Sequence, residues 1–396
     1  MTVDRFVLCA ALCALAPSSA CGPAMPVPAT LDAAKATAIS LGLVDGSASY
    51  CASGDAPQLR AIVTLADGKL LATRAGGESV EGRLEHRSFE WTTTWGVVDD
   101  DGYLQLPRDP FAALGHDVTI TAQVIDRPDL RATVMLAPRF DCGGFVGDTG
   151  GAGSTGWSGQ PGAGGRNGQA GDATHQATDG EDGGDGQDGS DAGDGGDGPT
   201  IEVSLAYVDT PRHGRLILCR LRSGSGGGPV AYLVDPAGRA FSVGAIGGSG
   251  GSGGSGGAGG SGGGGGSNND AQGGDGGNGG NGGNGGNGGN GGDGGRGGAI
   301  VVYVDARFPE LAQQIGFDTR GGGGGSAGQG GYAGDGGSGG SSSAARGGQG
   351  GRAGMSGQTG APGRPGRDGD GPAVLPVDAR ELFAAEIARG VPIVLP

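Results

Sequence analysis

Cysteine is the residue type in this chain with the most varied chemistry, and six of the 396 residues are cysteines. Cys51 and Cys142 lie near the two ends of a stretch of ordinary composition, as a domain-closing disulfide would. In the chain-entropy model such a disulfide contributes on the order of 4 kcal/mol. Cys219 follows the apolar run 216–218, which predicts a buried thiol. This usage of cysteine predicts an oxidising compartment.

The N-terminal residues predict export. Arg5 precedes an apolar run at 6–16 that is too short to span a bilayer but is typical of a signal-peptide core. Small residues at 18–20 lead to Cys21, which resembles a bacterial lipoprotein cleavage site with Cys21 as the lipidated first residue. Ser18 replaces the usual Leu, and ordinary signal-peptidase cleavage fits the same residues. If Cys21 is not lipidated, four mature cysteines allow three pairings.

We therefore expect residues 1–20 to be a signal peptide. The product would be either an outer-membrane or cell-surface lipoprotein or an extracellular protein. Membrane contact is expected only through a lipid on Cys21.

Acidic side chains offer a second chemistry, cation binding, because the formal net charge is -16. The segment 183–188, GGDGQD, matches the first six positions of the calcium-binding nonapeptide repeat. Ser190 stands where that repeat needs an apolar residue, and the local period is three, so no metal site is predicted. The only calcium candidates are Asp182, Asp185 and Asp188. The same charge repels phosphate backbones and excludes nucleic acid as a partner.

The remaining reactive side chains form no catalytic pattern. His86, His116, His175 and His213 lie near no nucleophile or carboxylate pair in the sequence. We expect no enzymatic activity and no cofactor.

Residues 29–142 have the composition of an ordinary domain and a period-two apolar pattern. The segment 59–65 reads as a strand that turns at Asp67-Gly68 into a returning strand at 70–73, and 118–124 and 132–136 read as two more. Six or seven such strands predict an antiparallel sandwich, which resembles the immunoglobulin-like modules of exported bacterial proteins. Trp91 and Trp95 are expected in its core, with ligand stacking as the alternative.

The 99 glycines concentrate after residue 143 and keep a phase of three within separate tracts. In the first stretch, Gly occupies sixteen of the nineteen positions taken in steps of three from Gly144 to Gly198. Polar interruptions divide the region 143–371 into three hairpins. We number the tracts 1 to 6, at 144–171, 180–198, 247–266, 273–299, 322–340 and 348–371.

Glycine at every third position predicts polyglycine-II or polyproline-II-like helices that bond to one another, because such helices form no internal hydrogen bonds. Two glycines per turn clear two faces, so the GGx hairpin 247–299 should lie between the others. The GGN and GGS tracts resemble polyglycine-II bundles, as in springtail glycine-rich antifreeze proteins and phage tail-tip adhesins. They are also similar to glycine-rich mycobacterial surface proteins and bacterial collagen-like proteins.

Small apolar segments interrupt the glycine region and are expected to cap it. These are a strand-rich insert at 200–246, a cap at 300–320 and a C-terminal cap at 372–396. The motif Val-Asp-Ala-Arg occurs at 304–307 and 377–380, each time with Asp as the expected N-cap of a short helix.

The expected function is that of a non-catalytic cell-surface structural or adhesive protein, with a rigid glycine-rich stalk or spacer. The alternatives are a ligand- or ice-binding protein that uses a flat face of the bundle, and an acidic calcium-binding matrix protein. The surface or matrix partner is unknown from the sequence, and self-association is left open.

Overall fold

The computed structural model describes residues 29–52, 54, 56–74, 80–107 and 109–395. The predicted signal peptide and the lipidation candidate Cys21 lie outside the described residues. The chain divides into two compact units. The first unit runs to Cys142 and includes 209–216 and 233–238, and the second contains the rest. No helix within the described ranges combines the length and apolar character that a membrane span needs.

The first unit is built from short strands in two four-stranded sheets, β1-β3-β4-β5 and β2-β10-β9-β6, with a separate pair β7-β8. The strands are β1 Ala36–Leu43, β2 Ser49–Cys51, β3 Leu59–Leu65, β4 Leu70–Ala72, β5 Gly82–Arg83, β6 Phe89–Thr93, β7 Val97–Val98, β8 Leu104–Gln105, β9 Val118–Val124 and β10 Arg127–Arg139. The purely antiparallel arrangement expected from the sequence is wrong, because β2 pairs with β10 and β5 with β4 in parallel.

Both sheets contribute side chains to the same hydrophobic clusters. Val63 on β3, Phe89 on β6 and Val124 on β9 are buried in one of them. Trp91 packs against both clusters and donates its indole N–H to the carbonyl of His86 at 2.9 Å. Trp95 packs against the second cluster. The two tryptophans therefore pack against the core and do not form an exposed stacking pair.

The second unit contains further strands, two short helices and the glycine tracts. The remaining strands are β11 Gly144–Thr149, β12 Ile201–Thr210, β13 Gly214–Ser223, β14 Val230–Val234, β15 Phe241–Ile246, β16 Ile300–Asp305, β17 Gly316–Asp318 and β18 Ala373–Val377. Of these, 209–210 on β12, 214–216 on β13 and 233–234 on β14 are assigned to the first unit. The helices are α1 Ala379–Leu382 and α2 Ala384–Ala388. Four 3-10 turns complete the described helical elements of the chain, at Ala33–Lys35, His86–Ser88, Ala112–Gly115 and Pro309–Gln313.

Parallel strand pairing sets the register of the tracts. The three-stranded sheet β11-β15-β17 leads into the odd-numbered tracts, and its pairing Thr149↔Ile246 continues as the hydrogen bond from Gly150 N–H to the Ile246 carbonyl. In the five-stranded sheet β14-β13-β12-β16-β18, β12, β16 and β18 follow the even-numbered tracts and pair in parallel. Alternate tracts are therefore aligned by parallel strand pairing.

The six tracts are joined by backbone hydrogen bonds that recur every third residue. Successive tracts run antiparallel, as in the bond from Gly286 N–H in tract 4 to the Gly257 carbonyl in tract 3. Alternate tracts run parallel, as in Gly256 N–H to the Gln329 carbonyl. Tracts 3 and 4 each bond to four other tracts, whereas tracts 1 and 6 each bond to two. The GGx hairpin thus lies between the others.

The predicted bundle of polyglycine-II or polyproline-II-like helices is wrong as the fold class. The described part of the chain is mostly β-sheet, with 30% strand, two short helices and four 3-10 turns, and it contains no bundle of polyglycine-II helices. The likeness to collagen-like and polyglycine-II proteins is corrected for the same reason. The physical reason is that a three-residue glycine phase marks where tracts touch and not which secondary structure forms. After residue 149 the tract residues, which bond between tracts, belong to no regular helix or strand. Residues 144–149, assigned to tract 1, are strand β11.

The two Val-Asp-Ala-Arg motifs differ in structure. Asp378 caps α1, accepting the Arg380 N–H at 2.8 Å, which confirms the sequence prediction. Asp305 instead accepts the Arg307 N–H at 3.1 Å in a turn, and the following 3-10 turn begins only at Pro309. Pro309 has no N–H to cap, so the N-cap expected at Asp305 is wrong.

Candidate functional site

The three calcium candidates of the sequence form hydrogen bonds to a neighbouring tract. Asp185 Oδ1 accepts the backbone N–H of Asn284 in tract 4 at 2.6 Å. The next residue, Gly186, donates its N–H to the carbonyl of the same Asn284 at 2.8 Å. We call this two-point contact an Asx clamp. In an Asx clamp, the side chain of an Asp or Asn accepts the N–H of one residue in a neighbouring tract. The residue after the Asp or Asn donates its own N–H to the carbonyl of that same residue.

Seven Asx clamps join tract 2 and the residue before it to tract 4. Their Oδ1···N distances are 2.5–2.8 Å, and each following residue donates at 2.7–2.9 Å. The side chains come from Asp179, Asp182, Asp185, Asp188, Asp191, Asp194 and Asp197.

Seven further clamps join tract 4 to tract 6 and to Arg346, which lies two residues before tract 6. The Oδ1···N distances are 2.7–3.0 Å, and the return bonds are 2.8–2.9 Å. The side chains come from Asp275, Asn278, Asn281, Asn284, Asn287, Asn290 and Asp293. One more clamp, from Asn167 in tract 1 to Gly264 in tract 3, has an Oδ1···N distance of 2.8 Å.

The clamps explain why tract 4 repeats Gly-Gly-Asn. The first glycine of a triplet, such as Gly285, donates to tract 6, and the second, Gly286, donates to tract 3. The third N–H, on Asn287, has no backbone acceptor and donates to Asp188 Oδ1 at 2.5 Å. Every backbone N–H in the triplet therefore has an acceptor. A backbone N–H that is shielded from water without an acceptor lowers the stability of the fold.

Glycine is required where tracts touch through their backbones. A Cβ on Gly286 would overlap the carbonyl of Gln187, and a Cβ on Gly283 would overlap that of Gly184. Gly323 lies in open space, with nothing within 4 Å of a Cβ built there. The third position of each triplet in tract 4 is exposed, whereas its second glycine is buried.

The two broad faces of the tract region differ in charge. On the face of the even-numbered tracts, the Asp column of tract 2 lies beside the Asn column of tract 4, followed by tract 6 with Arg352 and Arg364. On the face of the odd-numbered tracts, the exposed positions of tract 3 are small, including Ser249, Ser252 and Ser255. Ser326 in tract 5 donates to Ser252 Oγ at 3.0 Å.

Asn268 organises the turns that end tracts 1, 3 and 5. It is fully buried, its N–H donates to the Ser341 carbonyl at 2.8 Å, and its carbonyl accepts the Ser343 N–H at 3.0 Å. Its Oδ1 accepts the Asp270 N–H at 3.3 Å and its amide donates to the Asp172 carbonyl at 3.4 Å. In the sequence, Asn268 belongs to the polar interruption between tracts 3 and 4, and the polar composition of that segment gives no signal that Asn268 is buried.

The turn at 172–177 gathers Asp172, Thr174 and His175 on the surface. Asp172 Oδ1 accepts the Thr174 N–H, the Thr174 hydroxyl and the His175 N–H at 2.7–2.8 Å. These hydrogen bonds, first of all the one from the Thr174 N–H, hold the pKa of Asp172 well below its usual range. The carboxylate acts as the acceptor that closes the turn.

The predicted disulfide and the predicted buried thiol are confirmed. Cys51 and Cys142 form a disulfide that joins residues 91 apart in sequence. Cys219 on β13 is free and fully buried, and burial raises the pKa of its thiol to about 12. A thiol that stays protonated and inaccessible is a poor nucleophile.

Metal binding was also considered for the described residues. No group of three or more His, Cys, Asp or Glu residues that could hold a metal ion occurs among the described residues. The fifteen clamps were not predicted from the sequence. The available signal was an Asp or Asn directly before Gly at the same phase in tracts 2 and 4.

Comparisons with known proteins give no further guide to this site. No family model, curated protein or solved structure matches the chain.

Proposed function

We propose that this is a non-catalytic structural protein of the cell exterior, in which the glycine tracts form a stiff spacer or adhesive surface. The observation that carries the proposal is the set of Asx clamps. The Asp side chains of the tract 2 clamps, which could bind cations, are instead hydrogen-bonded to backbone N–H groups of tract 4. An arrangement with so many lateral bonds resists bending and local opening.

The proposed location outside the cell has separate support. The Cys51–Cys142 disulfide is of a kind that persists in oxidising compartments. The apolar run after Arg5 fits an export signal.

Labelling of intact cells tests the location. Lys35 and Lys69 are the two lysines of the sequence, and both side chains are more than half exposed. The full chain, with its native N-terminus, is expressed in a Gram-negative bacterium. Its lysines should react with a membrane-impermeant amine reagent on intact cells. A chain that is labelled only after lysis would contradict a location on the cell surface.

Trypsin digestion of the purified full chain tests the structural role. Arg166 in tract 1 and Arg352 in tract 6 are exposed on the surface. We expect slow cleavage after both residues in the native chain and rapid cleavage in the denatured chain, because a protease needs locally unfolded backbone. Equally rapid cleavage in both states would exclude a stiff spacer.

Ligand or ice binding is a second candidate, favoured by the evenly spaced serines of tract 3. Ser249, Ser252 and Ser255 are exposed at three-residue intervals on the face of the odd-numbered tracts. If this face binds ice, the full chain should inhibit ice recrystallisation, and Ser252→Tyr should abolish the effect without unfolding the chain. Absence of inhibition in the unmodified protein would eliminate ice as the ligand.

A further inference from the structure

Asparagine followed by glycine is the peptide sequence most prone to spontaneous deamidation, because glycine leaves its own backbone nitrogen unhindered. The chain contains six such steps, and five of them are consecutive triplets of tract 4. They are Asn167-Gly168, Asn278-Gly279, Asn281-Gly282, Asn284-Gly285, Asn287-Gly288 and Asn290-Gly291. With six Asn-Gly steps, the chain would accumulate deamidated products over time unless the fold slows the reaction.

Every one of these six steps is an Asx clamp. For Asn287-Gly288, Asn287 Oδ1 accepts the Gln358 N–H at 2.9 Å, and the Gly288 N–H donates to the Gln358 carbonyl at 2.8 Å. The other tract 4 steps grip residues 349, 352, 355 and 361 in the same way. Asn167-Gly168 grips Gly264.

The clamp engages both reacting groups in hydrogen bonds to another tract. In deamidation the glycine nitrogen, having lost its proton, attacks Cγ of the preceding Asn. A nitrogen–carbon bond forms, the Cγ–amide bond breaks and ammonia leaves with the proton. Water then opens the cyclic imide at either carbonyl, giving Asp or isoaspartate. In the clamp the glycine N–H points to one backbone group of the neighbouring tract and the Asn Oδ1 to another. Attack therefore requires both hydrogen bonds to open.

The two products would affect the tracts differently. Asp275 and Asp293 already form clamps at the ends of the same column, so an Asp product keeps the acceptor. Isoaspartate adds a carbon to the backbone and shifts the three-residue phase of every later contact. The central Asn residues also lie beside the Asp column of tract 2, so a new carboxylate there would add a like charge.

We propose that the Asx clamps make the six Asn-Gly steps fold-gated modification sites, closed to deamidation in the native chain. Five of them open when tract 6 separates from tract 4, and Asn167-Gly168 opens when tract 3 separates from tract 1. The experiment incubates the full chain at neutral pH and measures Asp and isoaspartate at each step by peptide mass spectrometry. All six steps should deamidate at least about tenfold more slowly in the native chain than in urea, because reaction waits for local opening. Equal rates in the two conditions would overturn the proposal.

A pair of proline variants tests the clamp itself. Gln358→Pro removes the N–H that holds Asn287 Oδ1, and the variant keeps the carbonyl that accepts the Gly288 N–H. Thr359→Pro is the matched control, because its N–H has no acceptor in the described chain and Pro362 and Pro365 occupy equivalent positions in the tract. Both variants are checked for an intact thermal transition.

Gln358→Pro should raise deamidation at Asn287 several-fold above that at Asn278, and Thr359→Pro should not. If Asn287 reacts no faster in a folded Gln358→Pro chain, the clamp is not the protecting feature and the proposal fails. Should Gln358→Pro unfold the chain, the comparison of native and urea-treated protein remains decisive.

Discussion

At the scale of the residue, short acceptor side chains replace backbone acceptors that the tracts cannot provide. Asp188 and Asn287 are each one methylene long, so Oδ1 reaches a neighbouring N–H while the following residue reaches the paired carbonyl. A longer side chain would lose more rotamer freedom to make the same bond. The choice of Asp in tract 2 and Asn in tract 4 also avoids two adjacent columns of negative charge.

Two variants of Asp188 separate the hydrogen bond from the charge. Asp188→Ala removes the acceptor of the Asn287 N–H, and we expect a loss of about 1 kcal/mol in the free energy of unfolding. Asp188→Asn keeps the acceptor and should change stability much less. Chemical denaturation of the full chain measures both. Equal losses in the two variants would show that the charge, and not the clamp, is what matters.

Histidine burial should make the first unit sensitive to acid. Desolvation lowers the pKa of His86, whose ring contacts Gly102 and faces the charges of Arg74, Asp99 and Asp101. Desolvation also lowers the pKa of His213, which lies near Arg212 and Asp117. The unfolded chain therefore binds more protons than the folded chain below the ordinary His pKa of about 6.5.

Stability contributed by these neutral histidines is complete above about pH 6.5 and declines as the pH falls towards their lowered folded-state pKa values. We expect the thermal midpoint of the unmodified chain to be lower at pH 5 than at pH 7.5. The double variant His86→Gln, His213→Gln should show a smaller difference between the two pH values. A double variant with the same pH dependence as the unmodified chain would contradict this assignment.

At the scale of the element, the buried sheets determine where each tract begins and how it is aligned. Strands β11 and β15 pair residue by residue up to Thr149↔Ile246, and the tract contacts continue from that register. Tract 4 leads into β16 at Ile300, which pairs with Ile201 at the end of tract 2. The strands thus bury apolar side chains, which the glycine tracts lack.

Glycine substitutions in the tracts should divide into two classes. Gly286→Ala places a methyl group into the Gln187 carbonyl, so tracts 2 and 4 must separate, and we expect a loss of about 1–3 kcal/mol or more. Gly323→Ala meets open space and should be neutral or slightly stabilising, because it restricts the unfolded chain. Thermal unfolding of the two variants measures the difference. Equal behaviour would show that the tracts do not touch at Gly286.

At the scale of the whole molecule, the sequence predicted positions better than it predicted conformation. Strand bounds at 59–65 and 118–124, the Cys51–Cys142 disulfide and the Asp378 cap follow from local patterns, and the structure contains them. The phase of glycine also indicated that 247–299 lies between the other tracts. Helical bundling was wrong, because phase reports where glycine is needed and not which secondary structure results.

The clamps could not be read from composition for a different reason. Each one joins residues 99, 97 or 71 positions apart, so no local pattern identifies the partner of a given Asp or Asn. Asn268 illustrates the same limit, since its burial depends on Ser341 and Ser343 from another turn.

Residue-resolved amide hydrogen exchange in tract 6 of the native full chain is the most direct test of this account. The N–H groups of Gly354 and Met355 have acceptors in tracts 5 and 4, respectively, as do those of Gly357 and Gln358, whereas those of Ser356 and Thr359 have none within the described chain. From Gly348 to Thr359 the account predicts slow exchange at the first two residues of each triplet and fast exchange at the third. Uniformly fast exchange along residues 348–369 would contradict it.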